Sequence, residues 1–147
     1  MNEASASKSP ESEQILHRFE CSGTTTEFFE LVFTSKQIII AKTGGRPYLT
    51  FGEMMRAAEK SKKKTAELQQ LSPEQIIADN PKNISIAYSD ITSIEMKRPG
   101  GFLGIGRIKI QMIGTKKQYE FRLAEKREFQ GQIDFLRSIL KERVLVK

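Results

Sequence analysis

Cysteine and histidine are almost absent from this sequence, and tryptophan is missing altogether. The 147 residues include one cysteine (Cys21), one histidine (His17) and no tryptophan. A single cysteine excludes an internal disulfide framework, and a single histidine leaves a zinc-type site short of ligands. We therefore expect no metal centre and no bound cofactor.

Long apolar runs are absent as well. No stretch approaches the roughly 18 apolar residues that a membrane-spanning helix needs. Residues 1–13 are rich in Ser, Glu and Ala and lack an aromatic residue, which is typical of a disordered tail rather than of a secretory signal. We expect one domain over residues 14–147 in a cytoplasmic protein, with the inner membrane surface as a candidate peripheral location.

The charge is unevenly distributed. Lys and Arg number 24 and Asp and Glu 18, which gives a net charge of +6. Residues 84–123 alone contribute 7 − 3 = +4 of this excess. A basic bias favours phosphates, anionic lipid headgroups or acidic proteins as partners. It is equally typical of a soluble protein that keeps its net charge away from zero.

Seven segments have strand signals: six alternate polar and apolar residues, as half-buried strands do, and the third carries the β-branched run Ile38-Ile39-Ile40. These predicted strands cover residues 15–21, 29–33, 36–42, 84–88, 93–97, 107–112 and 118–123. Between the third and fourth, Thr50 with Glu53 and Ser72 with Gln75 are capping-box signals. They predict a helical insertion over residues 50–80.

An amphipathic helix is predicted from Glu125 to Arg143. Its apolar stripe steps by three or four residues through Phe129, Ile133, Leu136, Leu140 and Val144. Gly131 lies within it, which suggests a close backbone contact. Together the elements predict an α+β, mainly β fold, in which a seven-stranded antiparallel barrel is closed by this C-terminal helix.

Two local strings resemble the pleckstrin-homology-like superfold, in its prokaryotic and GRAM-type branch. Residues 31–40 (LVFTSKQIII) are similar to its Leu-x-Leu-Thr-x-x-Arg-Leu-Ile hairpin, with Gln37 where a basic residue is usual. Residues 86–95 (IAYSDITSIE) are similar to its Ile-Pro-Tyr-Ser-Asp-Ile corner, with Ala87 in place of proline. The resemblance covers roughly residues 14–143. It implies a non-enzymatic scaffold that binds lipid headgroups or protein segments, or assembles with itself.

Catalysis finds little support in the sequence. His17 and Cys21 share one face of a predicted strand but lie about 13 Å apart along it, too far for a Cys–His dyad. No HExxH, CxxC, GxSxG or P-loop motif is present. The GxxGxG string at residues 101–106 reverses the order of the dinucleotide fingerprint and precedes a strand instead of a helix. We expect no enzyme.

The same glycine-rich string suggests a membrane-binding hairpin tip. Phe102, Leu103 and Ile105 are apolar, and Lys97, Arg98 and Arg107 flank them. Such residues enter a bilayer interface while the cations meet lipid phosphates. The alternative is that the apolar residues fold back over the barrel mouth while the glycines provide tight turns.

Basic residues are also expected on the outward face of neighbouring strands. They are Lys97, Arg107, Lys109, Lys117 and Arg122, interrupted by Glu95 and Glu120. This face holds a phosphate or an acidic partner, or it is a solvated face with cross-strand ion pairs.

The insertion offers a third candidate surface. Phe51, Met54 and Met55 form an apolar helical stripe, which either docks the helix on the barrel or is exposed to a protein partner or a second copy of the chain. Lys60, Lys62, Lys63 and Lys64 follow on the same helix, where we expect a solvated surface.

These patterns predict a binding or assembly module. Protein interaction or self-association is the leading hypothesis, with recruitment to anionic membrane. Nucleic-acid binding through the basic second half is the alternative.

Overall fold

The computed structural model describes residues 13–23, 26–98, 106–123 and 128–147, and contains eight strands and three α-helices within them. The strands are β1 (Ile15–Ser22), β2 (Glu27–Thr34), β3 (Gln37–Gly45), β4 (Ile84–Ala87), β5 (Ile91–Lys97), β6 (Arg107–Met112), β7 (Gln118–Leu123) and β8 (Val144–Val146). The helices are α1 (Phe51–Leu68), α2 (Pro73–Asp79) and α3 (Phe129–Leu140). Most of the predicted tail lies outside the described residues. Its last residue, Glu13, accepts hydrogen bonds from the side chains of Thr34 and Gln37.

The strands form one mixed sheet that does not close, so the predicted seven-stranded antiparallel barrel is wrong. Their order is β4-β3-β2-β1-β7-β6-β5-β8, and β5 and β8 pair in parallel. Closure would require β4 to pair with the side of β5 that faces away from β6. That side is taken by β8, and the turn at Tyr88–Asp90 separates β4 from β5 along the chain. The sheet therefore ends at β4 and at β8.

β8 is the strand that the sequence prediction missed. The apolar stripe of α3 continues in sequence to Val144, but the helix ends at Leu140, and Lys141 has a left-handed backbone with φ 55°. The guanidinium of Arg143 then donates hydrogen bonds to the carbonyls of Tyr88 and Ile91, at 2.8 and 3.0 Å. These contacts place Val144–Val146 beside β5.

The helical insertion forms where it was predicted, between β3 and β4. Both capping boxes are present, at Thr50 with Glu53 and at Ser72 with Gln75. The helices cover the outer face of β2 and β3 through a small apolar cluster of Val32, Ile39, Ala41, Leu68 and Ile76. The expected docking of α1 through its first turns is wrong, because its buried residues are Ser61, Thr65 and Leu68. At Gly44 the helix passes so close that an added Cβ would lie 3.3 Å from the carbonyl oxygen of Ala57.

The main core lies on the other face of the sheet, under α3. Phe129, Ile133, Leu136 and Leu140 are buried there, as their spacing predicts. Gly131 does not mark a close contact, since an added Cβ would meet nothing within 4 Å. None of the helices in the described ranges is long and apolar enough to cross a membrane.

Candidate functional site

Three basic residues stand side by side across the end of the sheet. In the register of the strands, Lys97 on β5 lies opposite Arg107 on β6, and Arg107 lies opposite Arg122 on β7. All three point to the outer face, because Met96, Ile108 and Phe121 beside them are buried in the core. We call Lys97, Arg107 and Arg122 the basic row. Like charges directly opposite each other destabilise a sheet, so the basic row is an electrostatic cost to the fold.

The next row of the same strands alternates in charge. Lys109 lies between Glu95 and Glu120, and these residues line a small polar depression together with Lys97 and Arg107. Glu120 pairs diagonally with Arg107 of the basic row, and Glu95 with Lys147, each at 3.5 Å. Lys97 and Arg122 form no ion pair with any other described residue. The next row therefore alternates charges of opposite sign, whereas the basic row places three like charges side by side.

The basic row belongs to an end of the molecule where several loops meet. Continuing across the sheet, Arg122 pairs with Ser22, Ser22 with Phe28, and Phe28 with Gly44. The row thus crosses six strands, a distance of about 24 Å at the usual strand spacing. At this end β1, β3, β5 and β7 finish and β2 and β6 begin, and residues 46–50 leave from here towards α1. We call it the loop end.

Large apolar side chains are exposed at the loop end. Tyr48 is 89% exposed and Phe51 74%, and Met55 is exposed one helical turn further along α1. The Tyr48 backbone is left-handed, with φ 62°, which is uncommon outside glycine and asparagine. The Thr26 hydroxyl fixes this segment, since it donates to the Arg46 carbonyl and accepts the Leu49 N–H. A strained and tethered segment thus holds an aromatic ring in solvent.

A groove of about 620 Å³ extends from the loop end along α1. Its walls are the last residues of β3 and one face of the helix. The charged residues that line it are Arg46, Arg56, Lys60, Lys63, Lys64, Glu53 and Glu67, which gives 5 − 2 = +3. Glu53 is held by Arg46 at 3.1 Å, and its hydrogen bonds at the Thr50 cap keep the pKa of its carboxyl below the usual value.

The other predicted site residues are dispersed. Arg98 lies on the core side, 5.9 Å from the centre of the Phe129 ring. Lys117 is at the opposite end of the sheet, 5.4 Å from the Tyr119 ring centre, and is separated from the basic row. Met54 is half-buried, whereas Phe51 and Met55 are exposed. The predicted tip residues Phe102, Leu103 and Ile105 lie outside the described residues.

The nucleophilic side chains are poorly placed for chemistry. Cys21 is buried in the main core, and this burial raises the pKa of its thiol. His17 stacks on Phe135 with ring centres 4.6 Å apart, and burial lowers the pKa of its imidazole. Within the described part of the chain, no three His, Cys, Asp or Glu residues cluster as metal ligands would.

A second polar cavity, of about 240 Å³, is lined by side chains of β1 and β2, of the end of α1 and of the start of α3. Glu30 is 1% exposed there and faces Arg18 at 2.9 Å, with Glu20 opposite it in the register. Burial raises the pKa of Glu30 to about 7, although the ion pair with Arg18 opposes the shift. The Gln132 side-chain oxygen, also buried, has no hydrogen-bond partner among the described residues. The Glu30 carboxyl in this cavity therefore titrates near neutral pH.

The sequence analysis did not predict the exposed Tyr48 or the groove. An aromatic residue after a proline in a polar turn is the signal that could have indicated Tyr48. Arg46 and Arg56 join Lys60 only through the packing of α1 beside β3, which no local pattern reveals.

Comparison with known proteins yields a likeness of fold. No family model matches the chain, and no curated protein matches it significantly. The structure is similar to the hSac2 domain from human phosphoinositide phosphatase Sac2, with a TM-score of 0.53 and 9% sequence identity. The similarity covers 98% of this chain and 85% of that domain. At this identity the likeness shows a shared fold alone.

Proposed function

We propose that this domain is a non-enzymatic binding module whose loop end docks on anionic membrane surfaces. The observation that carries the proposal is the basic row, in which Arg107 lies directly between Lys97 and Arg122. An anionic surface removes the repulsion in this row. Each cation contributes about 1 kcal/mol near an anionic bilayer.

The exposed side chains at the same end favour a membrane over other polyanions. Tyr and Phe are well suited to the interface between headgroups and acyl chains, where an apolar ring lies beside polar groups. Tyr48 and Phe51 are exposed to solvent at the loop end, close in sequence to Arg46 and Arg56 of the groove. Phe102, Leu103 and Ile105 lie between Lys97 and Arg107 in the sequence, and their insertion into a bilayer stays a prediction.

Several observations support a binding role rather than catalysis. The Cys21 thiol is buried with a raised pKa, and the His17 ring is packed against Phe135, so neither is set up as a nucleophile or base. We retain kinship with the pleckstrin-homology-like superfold as part of the proposal, on the local strings at residues 31–40 and 86–95. The domain is then an open-sheet variant that acts at the inner face of the membrane.

Co-sedimentation with vesicles tests the proposal. The chain is expected to bind phosphatidylcholine vesicles that contain phosphatidylserine, to ignore pure phosphatidylcholine, and to dissociate as salt is raised. The double variant Arg107→Gln/Arg122→Gln loses two cations of the row. We expect its partition coefficient to fall about 10- to 30-fold.

The matched control is Lys116→Gln/Lys117→Gln, which removes the same charge from the turn at the opposite end of the sheet. We expect it to change binding less than about threefold. Equal losses in both double variants would show attraction to net charge alone and would contradict docking through the loop end. Salt-sensitive binding to DNA with no preference for lipid would favour the nucleic-acid alternative instead.

A further inference from the structure

The groove along α1 is a second basic site, separate from the basic row. Arg56, Lys60 and Lys63 step by four and three residues and therefore lie on one helix face. Seven residues of helix rise about 10.5 Å, so three cations line a short wall. The opposite wall is the end of β3, from Thr43 to Gly45.

These three cations form no ion pair with another described residue. Arg46 is paired with Glu53 at 3.1 Å, and Lys64 with Asp79 at 2.8 Å. Glu53 is three positions from Arg56, and Glu59 and Glu67 are each four positions from Lys63. Opposite charges at these spacings offset part of the repulsion between the cations. The residues that line the groove still keep a net charge of 5 − 2 = +3.

The lining also indicates the character of the ligand. Only Leu49 and Ala57 among the lining residues have apolar side chains, whereas seven lining residues carry a charge. Its volume of about 620 Å³ is in the range of small-molecule sites. Lysine and arginine at this density match the oxygens of adjacent phosphate groups.

We propose that the groove between α1 and the end of β3 binds a small anion that carries two or more phosphate groups. The ligand is either a free polyphosphorylated compound or the phosphorylated headgroup of a lipid. Arg56, Lys60 and Lys63 contact the phosphates, and Arg46 closes the end of the groove next to Tyr48. This site goes beyond membrane docking through the basic row and stands whether or not that docking occurs.

Isothermal titration of the full chain with tripolyphosphate tests the site. We expect saturable binding with one equivalent, and about tenfold weaker binding for Lys60→Gln. The control Lys62→Gln removes an equal charge from the same helix, at a position that faces the other flank of α1. It should change the dissociation constant less than about twofold. Thermal unfolding of each variant checks that the fold is retained.

Two results would overturn the site: no saturable binding at millimolar tripolyphosphate, or equal losses in Lys60→Gln and Lys62→Gln. Tighter binding of a tetra-aspartate peptide than of tripolyphosphate would overturn the assigned phosphate chemistry.

A competition with vesicles distinguishes the two sources of phosphate. If tripolyphosphate displaces the chain from vesicles that contain phosphorylated headgroups, and Lys60→Gln weakens that binding too, the groove takes a headgroup. If vesicle binding persists at saturating tripolyphosphate, the ligand is a free compound. Failure of the basic-row variants to reduce vesicle binding would contradict the proposed function and leave the tripolyphosphate result unaffected.

Discussion

Single residues show where this protein accepts an electrostatic cost. Among the described residues, Lys97 and Arg122 have no ion-pair partner beside Arg107, whereas Lys109 one row away lies between Glu95 and Glu120. Glu30 is a different case, since it has a partner in Arg18 and is nevertheless so buried that its pKa rises to about 7. A bound anion can offset the repulsion between the surface cations, whereas protonation removes the charge of the buried carboxyl.

The Glu30 carboxyl makes stability depend on pH in a defined direction. Because its pKa is raised in the folded state, the folded chain binds more protons than the unfolded chain between the ordinary carboxyl pKa of 4.5 and about 7. The free energy of unfolding should therefore fall as pH rises through this window, by up to about 3 kcal/mol from this group.

Urea unfolding of the wild type and of Glu30→Gln at pH 4.5, 5.5, 6.5 and 7.5 measures this effect. The difference between the two slopes isolates Glu30, since the other carboxyls are common to both proteins. Identical pH dependence in the two proteins would show that the Glu30 carboxyl titrates alike in the folded and unfolded states.

At the scale of elements, local signals predicted the helices and seven of the strands. The capping residues Thr50 and Ser72 act within one turn, so their effect is readable from sequence. β8 has three residues, too few for a periodic signal, and it depends on Arg143 reaching the turn at residues 88–90. This long-range contact places β8 along the edge of β5, so the sheet stays open and the predicted barrel is wrong.

Two glycines in different settings test the packing of these elements. Gly131 is in the interior of α3 with open space around its Cα, so Gly131→Ala should raise the free energy of unfolding by about 0.5–1 kcal/mol. Gly45 has φ +78°, and an added Cβ would lie 2.2 Å from the Thr26 carbonyl oxygen. Gly45→Ala should lower the free energy of unfolding by about 1–3 kcal/mol.

Chemical denaturation of both variants measures these changes. A loss of stability in Gly131→Ala would mean that α3 packs more closely than the structure shows. An unchanged Gly45→Ala would mean that the strand end at the loop end relaxes freely.

At the scale of the whole molecule, the loop end unites features that are far apart in sequence. The strand alternation predicted that Lys97, Arg107 and Arg122 point outward, but only the register places them in one row. In the strand register the same row continues across the sheet to Gly44, which lies against Ala57 and Ser61 of α1. Sequence patterns could not show that Tyr48 and Phe51 lie at the same end of the sheet as the basic row, because this depends on pairing between distant strands. Lys117 has the right charge, but it is in phase with the core-side residues Tyr119 and Phe121 and lies at the opposite end of the sheet.

The absence of tryptophan permits a direct measurement of which end meets the membrane. Phe51→Trp places a single fluorophore at the loop end, where the native ring is 74% exposed. Ile113→Trp places one at the opposite end, at a side chain that is 57% exposed. On addition of phosphatidylserine vesicles that contain brominated lipid, we predict a blue shift and quenching for Phe51→Trp and neither for Ile113→Trp. Quenching of Ile113→Trp alone, or of neither fluorophore while the protein is bound, would contradict docking through the loop end.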